Sequence, residues 1–241
     1  MKRFISAAVF WAITAFSRAV IFTFSRWEVV GADRVPTEGG LVLVGNHLHL
    51  LDPPLVSASC PRRTHPMGKR ELFETPLVGW ILWVYGAFPV RRYSADIGAL
   101  RAARNHLRNG DVVLMFPEAT RSMDAKLHPA LPGAAMAALL ARVPVVPVAI
   151  TGTEQIRIPS VFFRWILRRR LHIRVEFGEP FALPHSPGTA EARHAEESTD
   201  LMMRRVAELL PESYRGAYGA GSEGKLVFAR RPQQAAPDDE R

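Results

Sequence analysis

A histidine and an aspartate five positions apart, His47 and Asp52, form the most chemically suggestive pair in the sequence. They lie in the segment NHLHLLDP, which spans residues 46–53. On one continuous helix, side chains at this spacing point about 140° apart and could not act together. Pro53 disfavours helical geometry at the residue before it, which favours a turn that folds the carboxylate back onto the imidazole. An imidazole held in this way is an oriented general base for a hydroxyl group.

Two other interpretations of this segment stay open on these residues alone. Asp52 followed by Pro53 also fits a helix N-cap with proline at the first helical position, which leaves His47 an ordinary loop histidine. His47 and His49, with Asp52 nearby, also resemble metal-ligand spacing, as in a metal-dependent hydrolase. The sequence shows no second set of histidine and carboxylate that supports a metal, so we expect none.

Three further segments carry charged or polar side chains beside predicted strands or helices. They are GKRELF at 68–73, GAFPVRR at 86–92 and FPEATRS at 116–122. Each segment alone is typical of a solvated loop. Together, the three segments supply cations and one acid near the His47 segment. Arginine can bind phosphate through two parallel hydrogen bonds, and lysine acts as a point charge. The candidate substrate-binding residues in these segments are Lys69, Arg92, Glu118, Thr120 and Arg121.

The elements that must position these residues alternate between strands and helices. Apolar runs predict buried strands over 41–45, 112–116 and 145–150, and the alternation over 171–177 predicts a half-buried strand at a sheet margin. Helical spacing predicts helices over 97–108, 132–142 and 78–85. The pattern therefore predicts a single α/β domain with a mixed, mostly parallel sheet flanked by helices. Because ligands collect beyond the carboxyl ends of strands in such sheets, His47 falls where a site is expected.

Composition limits the classes of protein that the chain can belong to. Its 241 residues are enough for one packed domain, and the single cysteine, Cys60, excludes an internal disulfide or a cysteine-based zinc cluster. We interpret Cys60 as a buried thiol. Lys and Arg number 31 against 23 Asp and Glu, so the formal charge of +8 predicts an anionic partner: nucleic acid, a phosphorylated metabolite or a membrane surface.

The first 26 residues predict a helix that associates with a membrane. Residues 4–24 are apolar enough to extend roughly 30 Å as a helix, but Arg18 within them disfavours a simple span. A polar face of Ser6, Thr14, Ser17 and Arg18 lies opposite an aromatic face of Phe4, Trp11, Phe16 and Phe22. This weak amphipathicity suits a helix lying in the membrane interface. A signal peptide is the rival, although no small-residue cleavage site follows, and a buried core helix is the structural alternative.

A basic, aromatic stretch and a polar tail complete the chain. The stretch from Arg164 to Arg170 interleaves arginines with Trp165, Ile166 and Leu167, a mixture that suits the headgroup zone of a membrane. A basic helix packed on the sheet is its structural alternative, and nucleic-acid binding is disfavoured because no recognition motif is present. Residues 213–241 are rich in small, polar and charged residues, and we predict a disordered tail there.

Four segments in order resemble the motifs of the glycerolipid acyltransferases, in the branch of the bacterial 1-acylglycerol-3-phosphate acyltransferases. They are NHLHLLD at 46–52, GAFPVRR at 86–92, FPEATR at 116–121 and VPVVPV at 143–148. The resemblance runs from about residue 29 to about residue 180, and four motifs in order are far more specific than any one. It makes residues 27–212 an acyltransferase domain.

The resemblance implies acyl transfer from acyl-CoA or acyl-carrier protein to the free hydroxyl of 1-acylglycerol-3-phosphate, giving phosphatidic acid in phospholipid biosynthesis. His47 becomes the base on that hydroxyl and Asp52 its orienting partner. Glu118 and Thr120 help to shape the acceptor site, where Arg92, Arg121 and Lys69 meet the phosphate. The reaction needs no metal and no other cofactor, and we expect the protein at the cytoplasmic face of the cell membrane, peripheral or held by one helix.

Two departures from the family pattern matter. Ala119 stands where the family usually has glycine, so a turn that needs a positive φ would be strained there. His49 stands where a small polar residue is common and adds a titratable group beside the base. Two alternatives remain: the same chemistry on another lysolipid, an amino-lipid or a glycolipid, and a non-catalytic membrane-binding protein with this fold.

Overall fold

The computed structural model describes residues 2–91, 96–157, 161, 165–167, 169–184 and 191–222, with the backbone alone for 2–8 and 191–193. Its strands are β1 (Ser25–Val30), β2 (Leu41–Gly45), β3 (Thr64–Lys69), β4 (Phe88–Val90), β5 (Val112–Met115), β6 (Val145–Thr151) and β7 (Leu171–Phe177). Its α-helices are α1 (Lys2–Phe24), α2 (Asp52–Ser59), α3 (Arg70–Phe73), α4 (Pro76–Tyr85), α5 (Ile97–Arg108), α6 (Gly133–Ala141) and α7 (Glu191–Leu209).

The described strands form one sheet in the order β1-β7-β6-β2-β5-β3-β4. Neighbouring strands are parallel except β6 and β7, which are antiparallel. The prediction of an α/β domain with a mixed, mostly parallel sheet is therefore confirmed. The strand predicted at 171–177 lies one strand in from the edge, and alternate residues of β7 from Leu171 to Phe177 are buried as the pattern indicated.

The core lies on both faces of the sheet because alternate residues of the central strands point to opposite sides. On β2, Leu41 and Leu43 pack in the cluster that includes Leu55 and Val56 of α2. Val42 and Val44 pack in the other cluster, against α5, α6 and α7. Every residue of β2 is buried, as expected for a central parallel strand with helices on both faces.

The first helix packs against the domain through two polar residues and an aromatic one. Phe10 and Thr14 are buried, and Arg18 Nε donates a hydrogen bond to the Ala58 carbonyl at the end of α2 (2.7 Å). The apolar side chains of Phe16 and Phe22 instead point outward. Among the described helices, none combines the length and apolarity that crossing a bilayer requires.

The C-terminal segment is ordered further than its composition predicts. Residues 212–214 and 216–218 form short 3-10 turns, and Tyr218 is only 5% exposed. The Ala217 N–H donates to the Leu127 carbonyl (2.9 Å), while the Leu127 N–H donates to the Tyr214 carbonyl (2.8 Å). The prediction of disorder from residue 213 is therefore wrong for residues 213–222. It was based on average composition, which does not register the burial of Tyr218 or the hydrogen bond to the Tyr214 carbonyl. Residues 223–241 lie outside the described residues.

Candidate active site

The site lies where two parallel strands end side by side. β2 and β5 pair in parallel, so their carboxyl ends meet at one edge of the sheet. His47 follows β2 by two residues, and Glu118 follows β5 by three. The Ser122 N–H donates to the His47 carbonyl (2.7 Å), which ties the two loops together. Residues distant in sequence are thereby brought to the place that the strand pattern predicted.

His47 and Asp52 form a buried hydrogen-bonded pair. His47 Nδ1 lies 2.9 Å from Asp52 Oδ2. The same Oδ2 accepts hydrogen bonds from the backbone N–H groups of Leu48 and His49, each at 2.6 Å. Because this oxygen is an acceptor in all three contacts, Nδ1 donates and the lone pair of the imidazole lies on Nε2. The pair has the geometry of an oriented general base.

The N-cap interpretation of Asp52 is wrong. Asp52 is the first residue of α2, and its Oδ2 accepts from N–H groups in the preceding loop. The Leu51 cap position makes no side-chain capping bond. The carboxylate therefore turns back toward His47, as the interpretation of a strand–turn–helix junction predicted, although Asp52 itself begins the helix despite the preference that Pro53 imposes on it.

The metal interpretation of His47, His49 and Asp52 is also not supported. His49 Nδ1 accepts from the Leu51 N–H (3.3 Å), so this nitrogen is turned into the local loop. Within the described part of the chain, these three residues are not among the His, Cys, Asp and Glu groups whose ligand atoms converge. Burial lowers the pKa of His49, an effect that Asp52 opposes and that Arg121 and His47 reinforce. His49 is therefore a neutral neighbour of His47 and does not orient the His47 imidazole.

Glu118 connects two loops through its buried carboxyl group. One oxygen, Oε1, accepts from the His47 N–H (3.1 Å), and Oε2 accepts from the His128 N–H (2.9 Å). Glu118 is 4% exposed, and burial raises the pKa of this carboxyl to about 7 although both N–H groups lower it. These contacts hold the backbone of His47, while the placement of Glu118 at the acceptor site stays a prediction.

Phe116 and Asn46, which have no role in the sequence-based prediction, also position His47. The ring of Phe116 stacks on the His47 imidazole, with centroids 4.4 Å apart. Asn46 exchanges two side-chain hydrogen bonds with the backbone of Ile150, each 2.8 Å, and so extends the pairing of β2 with β6. Both residues belong to the quoted motifs, but their roles depend on partners in other strands, which no local spacing reveals.

The residues predicted to contact the phosphate differ in their exposure and in their neighbours. Arg121 and Thr120 are exposed, and Arg121 is close enough to lower the pKa of His49. Lys69 ends β3, and its Nζ lies 3.7 Å from Glu71 Oε1 in an exposed pair. Arg92 lies outside the described residues. Among the described candidates for phosphate contact, Arg121 has a shown interaction with the His47 loop, through its effect on His49.

Ala119 and Cys60 follow their sequence-based interpretations. Ala119 has φ +57°, the left-handed conformation that glycine adopts at least cost. Cys60 is fully buried, and burial raises the pKa of its thiol to about 11. A thiol in this environment is a poor nucleophile at neutral pH, which agrees with the interpretation of Cys60 as a buried thiol.

Comparison with known families finds a match over the segment that carries this site. Residues 26–151 match the family model described as Acyltransferase. That segment includes β1 to β6, His47, Asp52, Glu118 and His128.

Individual relatives agree with the family match. The 1-acyl-sn-glycerol-3-phosphate acyltransferase of Streptococcus pneumoniae (strain ATCC BAA-255 / R6) is 32% identical over 164 residues, 64% of this chain and 57% of the relative. The chloroplastic 1-acyl-sn-glycerol-3-phosphate acyltransferase BAT2 of Brassica napus is 30% identical over 139 residues, 56% of this chain and 40% of the relative. The chain thus spans less than two thirds of either curated relative.

A solved structure extends the likeness to the fold. The crystal structure of the 1-acyl-sn-glycerophosphate (LPA) acyltransferase PlsC from Thermotoga maritima superposes with a TM-score of 0.62 and 28% sequence identity. The match covers 85% of this chain and 81% of that one.

Proposed function

The chain belongs to the acyltransferase family, whose model matches more than half of its 241 residues, and we propose that it acylates 1-acylglycerol-3-phosphate to phosphatidic acid. The acyl chain comes from an acyl thioester, either acyl-CoA or acyl-carrier protein. The observation that carries the proposal is the buried pair in which His47 Nδ1 donates to Asp52 Oδ2 and leaves Nε2 as a base.

The reaction follows from the orientation of the imidazole. His47 Nε2 takes the proton of the acceptor hydroxyl while the oxygen attacks the thioester carbonyl carbon. The tetrahedral intermediate collapses, the carbon–sulfur bond breaks, and the imidazolium returns the proton to the thiolate. Asp52 stays ionised throughout and stabilises the imidazolium. General-base assistance of this kind contributes about 10²–10⁴ in rate.

Acceptor recognition is assigned to cations around this pair. Arg121 beside His49 meets the phosphate first, with Lys69 and Arg92 as further contacts and Thr120 as a hydrogen-bonding group. Glu118 acts at the same site by holding the His47 backbone, because both of its oxygens are already engaged. The chemistry requires no metal or other cofactor.

An acyl-transfer assay tests the proposal directly. Purified protein receives detergent-dispersed lysophosphatidate with acyl-CoA, then with acyl-carrier protein, and free thiol and phosphatidic acid are measured together. Thiol release should depend on the acceptor and match phosphatidic acid in amount. His47→Ala should lower kcat by about 10²-fold or more, whereas His172→Ala, an exposed histidine paired with Glu28, should not. Full activity in His47→Ala would falsify the base assignment, and transfer only to phosphate-free acceptors would favour the alternative acceptors.

We further propose that the protein binds a membrane surface peripherally, at the cytoplasmic face of the cell membrane. Large apolar side chains on α1 and α4, which pack against each other, are exposed to solvent. We call these residues the apolar face: Trp11, Phe16, Val20, Phe22, Leu77, Val78, Trp80, Ile81 and Trp83. An exposed apolar patch of this extent is typical of interaction sites, and tryptophan is favoured at the headgroup level.

Exposed arginines near the apolar face complete the surface. Arg26 follows α1, and Arg170 donates a hydrogen bond to the Phe22 carbonyl at the end of that helix (3.3 Å). Arg169 and the side chains of residues 165–167 are also exposed, and Trp165 packs against Phe24. Arg164 and Arg168 lie outside the described residues. Aromatic and cationic groups together suit an anionic lipid surface, which also supplies the lysolipid acceptor.

A further inference from the structure

Two histidines and an aspartate converge at the end of the sheet opposite His47. His65 lies on β3, His106 on α5, and Asp111 directly precedes β5. Asp111 Oδ2 lies 2.9 Å from His106 Nδ1 and 3.8 Å from His65 Nε2. One ligand atom from each residue lies within 4.8 Å of the others, and no other trio of possible ligands does so in the described parts of the chain. The proposed acyl transfer uses none of these residues.

The backbone orients His65 toward the cluster. Its Nδ1 lies 2.8 Å from the Gly86 carbonyl oxygen, which can only accept, so Nδ1 donates and Nε2 carries the lone pair. Gly86 caps α4 with φ +93°, and a Cβ there would come within 3.0 Å of His65 Nδ1. Glycine thus permits this close approach. Nε2 is left facing Asp111, as in metal sites where a carbonyl holds the second nitrogen of a ligating histidine.

Ring stacking sets the positions of the two histidines in the metal-free protein. The His65 and His106 rings stack with centroids 4.2 Å apart, and Phe88 stacks on His106 at 5.5 Å. Two cations lie near the cluster: the Arg63 guanidinium lies over the Phe10 ring at 5.3 Å, and Arg62 donates to the Gly110 carbonyl directly before Asp111 (2.6 Å). Because face-stacked rings 27° from parallel direct their lone pairs in nearly parallel planes, the His106 ring must turn about its Cβ–Cγ bond when both histidines bind one ion.

We propose that His65, His106 and Asp111 bind a zinc ion. Ligands about 2.1 Å from a tetrahedral zinc lie about 3.4 Å from one another, a value between the two Asp111 distances. Two imidazoles and one carboxylate favour zinc over calcium or magnesium, which prefer oxygen ligands. The ion takes the place of the proton between His106 Nδ1 and Asp111 Oδ2, the ring proton moves to Nε2, and water completes the four ligands.

The zinc stabilises the fold and takes no part in acyl transfer. β5 separates Asp111 from the catalytic end of the sheet, and its four residues rise about 13 Å. The ion would add a cross-link among β3, α5 and the start of β5, beyond the pairing of β3 with β5 and the hydrogen bond that the Asp111 N–H donates to the His106 carbonyl (3.0 Å). The neighbouring Gly86 begins the 86–92 segment that carries the proposed phosphate contact Arg92, so the ion also steadies the base of that segment.

Metal titration of the full chain tests the site without any activity measurement. Chelator-treated and dialysed protein is titrated with ZnCl₂ during thermal unfolding, and with Co²⁺ during visible spectroscopy. We expect one equivalent of metal, d–d bands typical of four-coordinate cobalt, and a Tm higher by about 5 °C or more when zinc exceeds its Kd 100-fold. Asp111→Asn and His106→Gln should lose both signals, and His172→Gln, an exposed histidine elsewhere, should keep them.

Either variant can be less stable than the parent, so its metal-free Tm and circular dichroism are recorded first. Cobalt binding lost in a variant that remains folded supports the site. A folded wild-type chain with no saturable cobalt spectrum and no zinc-dependent Tm overturns it, as does binding that both variants retain. Saturable iron(II) binding without zinc binding overturns the choice of metal.

Discussion

One oxygen atom of Asp52 orients the His47 imidazole. Its Oδ2 accepts from His47 and from two backbone N–H groups, so the carboxylate is held before any substrate arrives. Its Oδ1 is buried and has no hydrogen-bond partner among the described groups. Concentrating the contacts on one oxygen fixes the imidazole in one tautomer, which is what a general base requires.

Glu118 makes stability depend on pH. Its pKa is raised from 4.5 to about 7 by burial, so the unfolded chain releases this proton at lower pH than the folded chain does. The contribution is greatest below about pH 4.5 and declines until about pH 7, by about 3 kcal/mol in all. Glu118→Gln removes the titration. We expect the Tm advantage of the wild type over Glu118→Gln to shrink between about pH 5 and pH 8.

Thermal unfolding of both proteins across this range measures the effect. Glu208→Gln, which alters an exposed carboxylate paired with Arg205, is the control and should run parallel to the wild type. Parallel curves for Glu118→Gln and the wild type would show that Glu118 is ionised in the folded state over the whole range.

Ala119 carries strain that glycine would relieve. Its φ of +57° costs an L-residue roughly 1–2 kcal/mol, of which the added freedom of glycine in the unfolded chain offsets a part. We expect Ala119→Gly to raise stability by up to about 1 kcal/mol, or Tm by about 2–4 °C. The control Ala102→Gly lies within α5 and should lower stability by about 1 kcal/mol. A lower Tm for Ala119→Gly would contradict the strain argument.

At the scale of elements, α1 presents some side chains to the domain and others to solvent. Phe10, Thr14 and Arg18 attach the helix to α2 and α4, whereas Phe16 and Phe22 point into solvent. Deleting α1 would therefore disturb the core and the apolar face together. Substitutions on the outward surface separate the two effects.

The double variant Phe16→Ser, Phe22→Ser tests the membrane role of α1. These side chains are 71% and 69% exposed, so the Tm should change little. Burying one phenylalanine in an apolar phase contributes about 1.5–3 kcal/mol, so vesicle flotation should weaken at least about tenfold. Ile97→Ser removes a comparably exposed side chain from α5 and should leave flotation unchanged. Unchanged flotation of the double variant would exclude α1 as the contact.

At the scale of the whole molecule, our proposals assign the formal charge of +8 to two lipid-directed roles. Arg121, with Lys69 and Arg92, is assigned to the acceptor phosphate. Exposed arginines beside the apolar face are assigned to the anionic surface. This division makes a membrane carrying an acidic lysolipid a better partner for the charge than nucleic acid.

Salt and charge substitution test this division. Binding to anionic vesicles should weaken between about 0.1 M and 1 M salt, because the screening length falls from about 10 Å to about 3 Å. Replacing Arg26, Arg169 and Arg170 by glutamine should weaken it at low salt, by about 1 kcal/mol per cation. Replacing Arg101, Arg108 and Arg142 lowers the net charge equally, but on exposed positions of α5 and the end of α6. Equal losses in both triple variants would mean that net charge alone drives binding.

Much of the fold was predictable because its signals are local. Strand β2 and strand β7 have the predicted bounds, since burial on both faces or on one face leaves a continuous or an alternating apolar pattern. The order of the strands and the antiparallel placement of β7 beside β6 were not predictable. Pairing depends on contacts between segments far apart in the chain, which leave no periodic trace.

By itself, the sequence determined the catalytic candidates His47 and Asp52, the motifs that carry them and the class of fold. These follow from residue type, spacing and backbone preference, which act over a few residues. Only the tertiary structure decided that Glu118 holds the His47 backbone, that Phe16 and Phe22 of α1 are exposed while Phe10 is buried, and that His65, His106 and Asp111 converge. Each of these depends on the register of the strands and the packing of the helices. These long-range contacts decide which side chains distant in sequence form a hydrogen bond or are buried together.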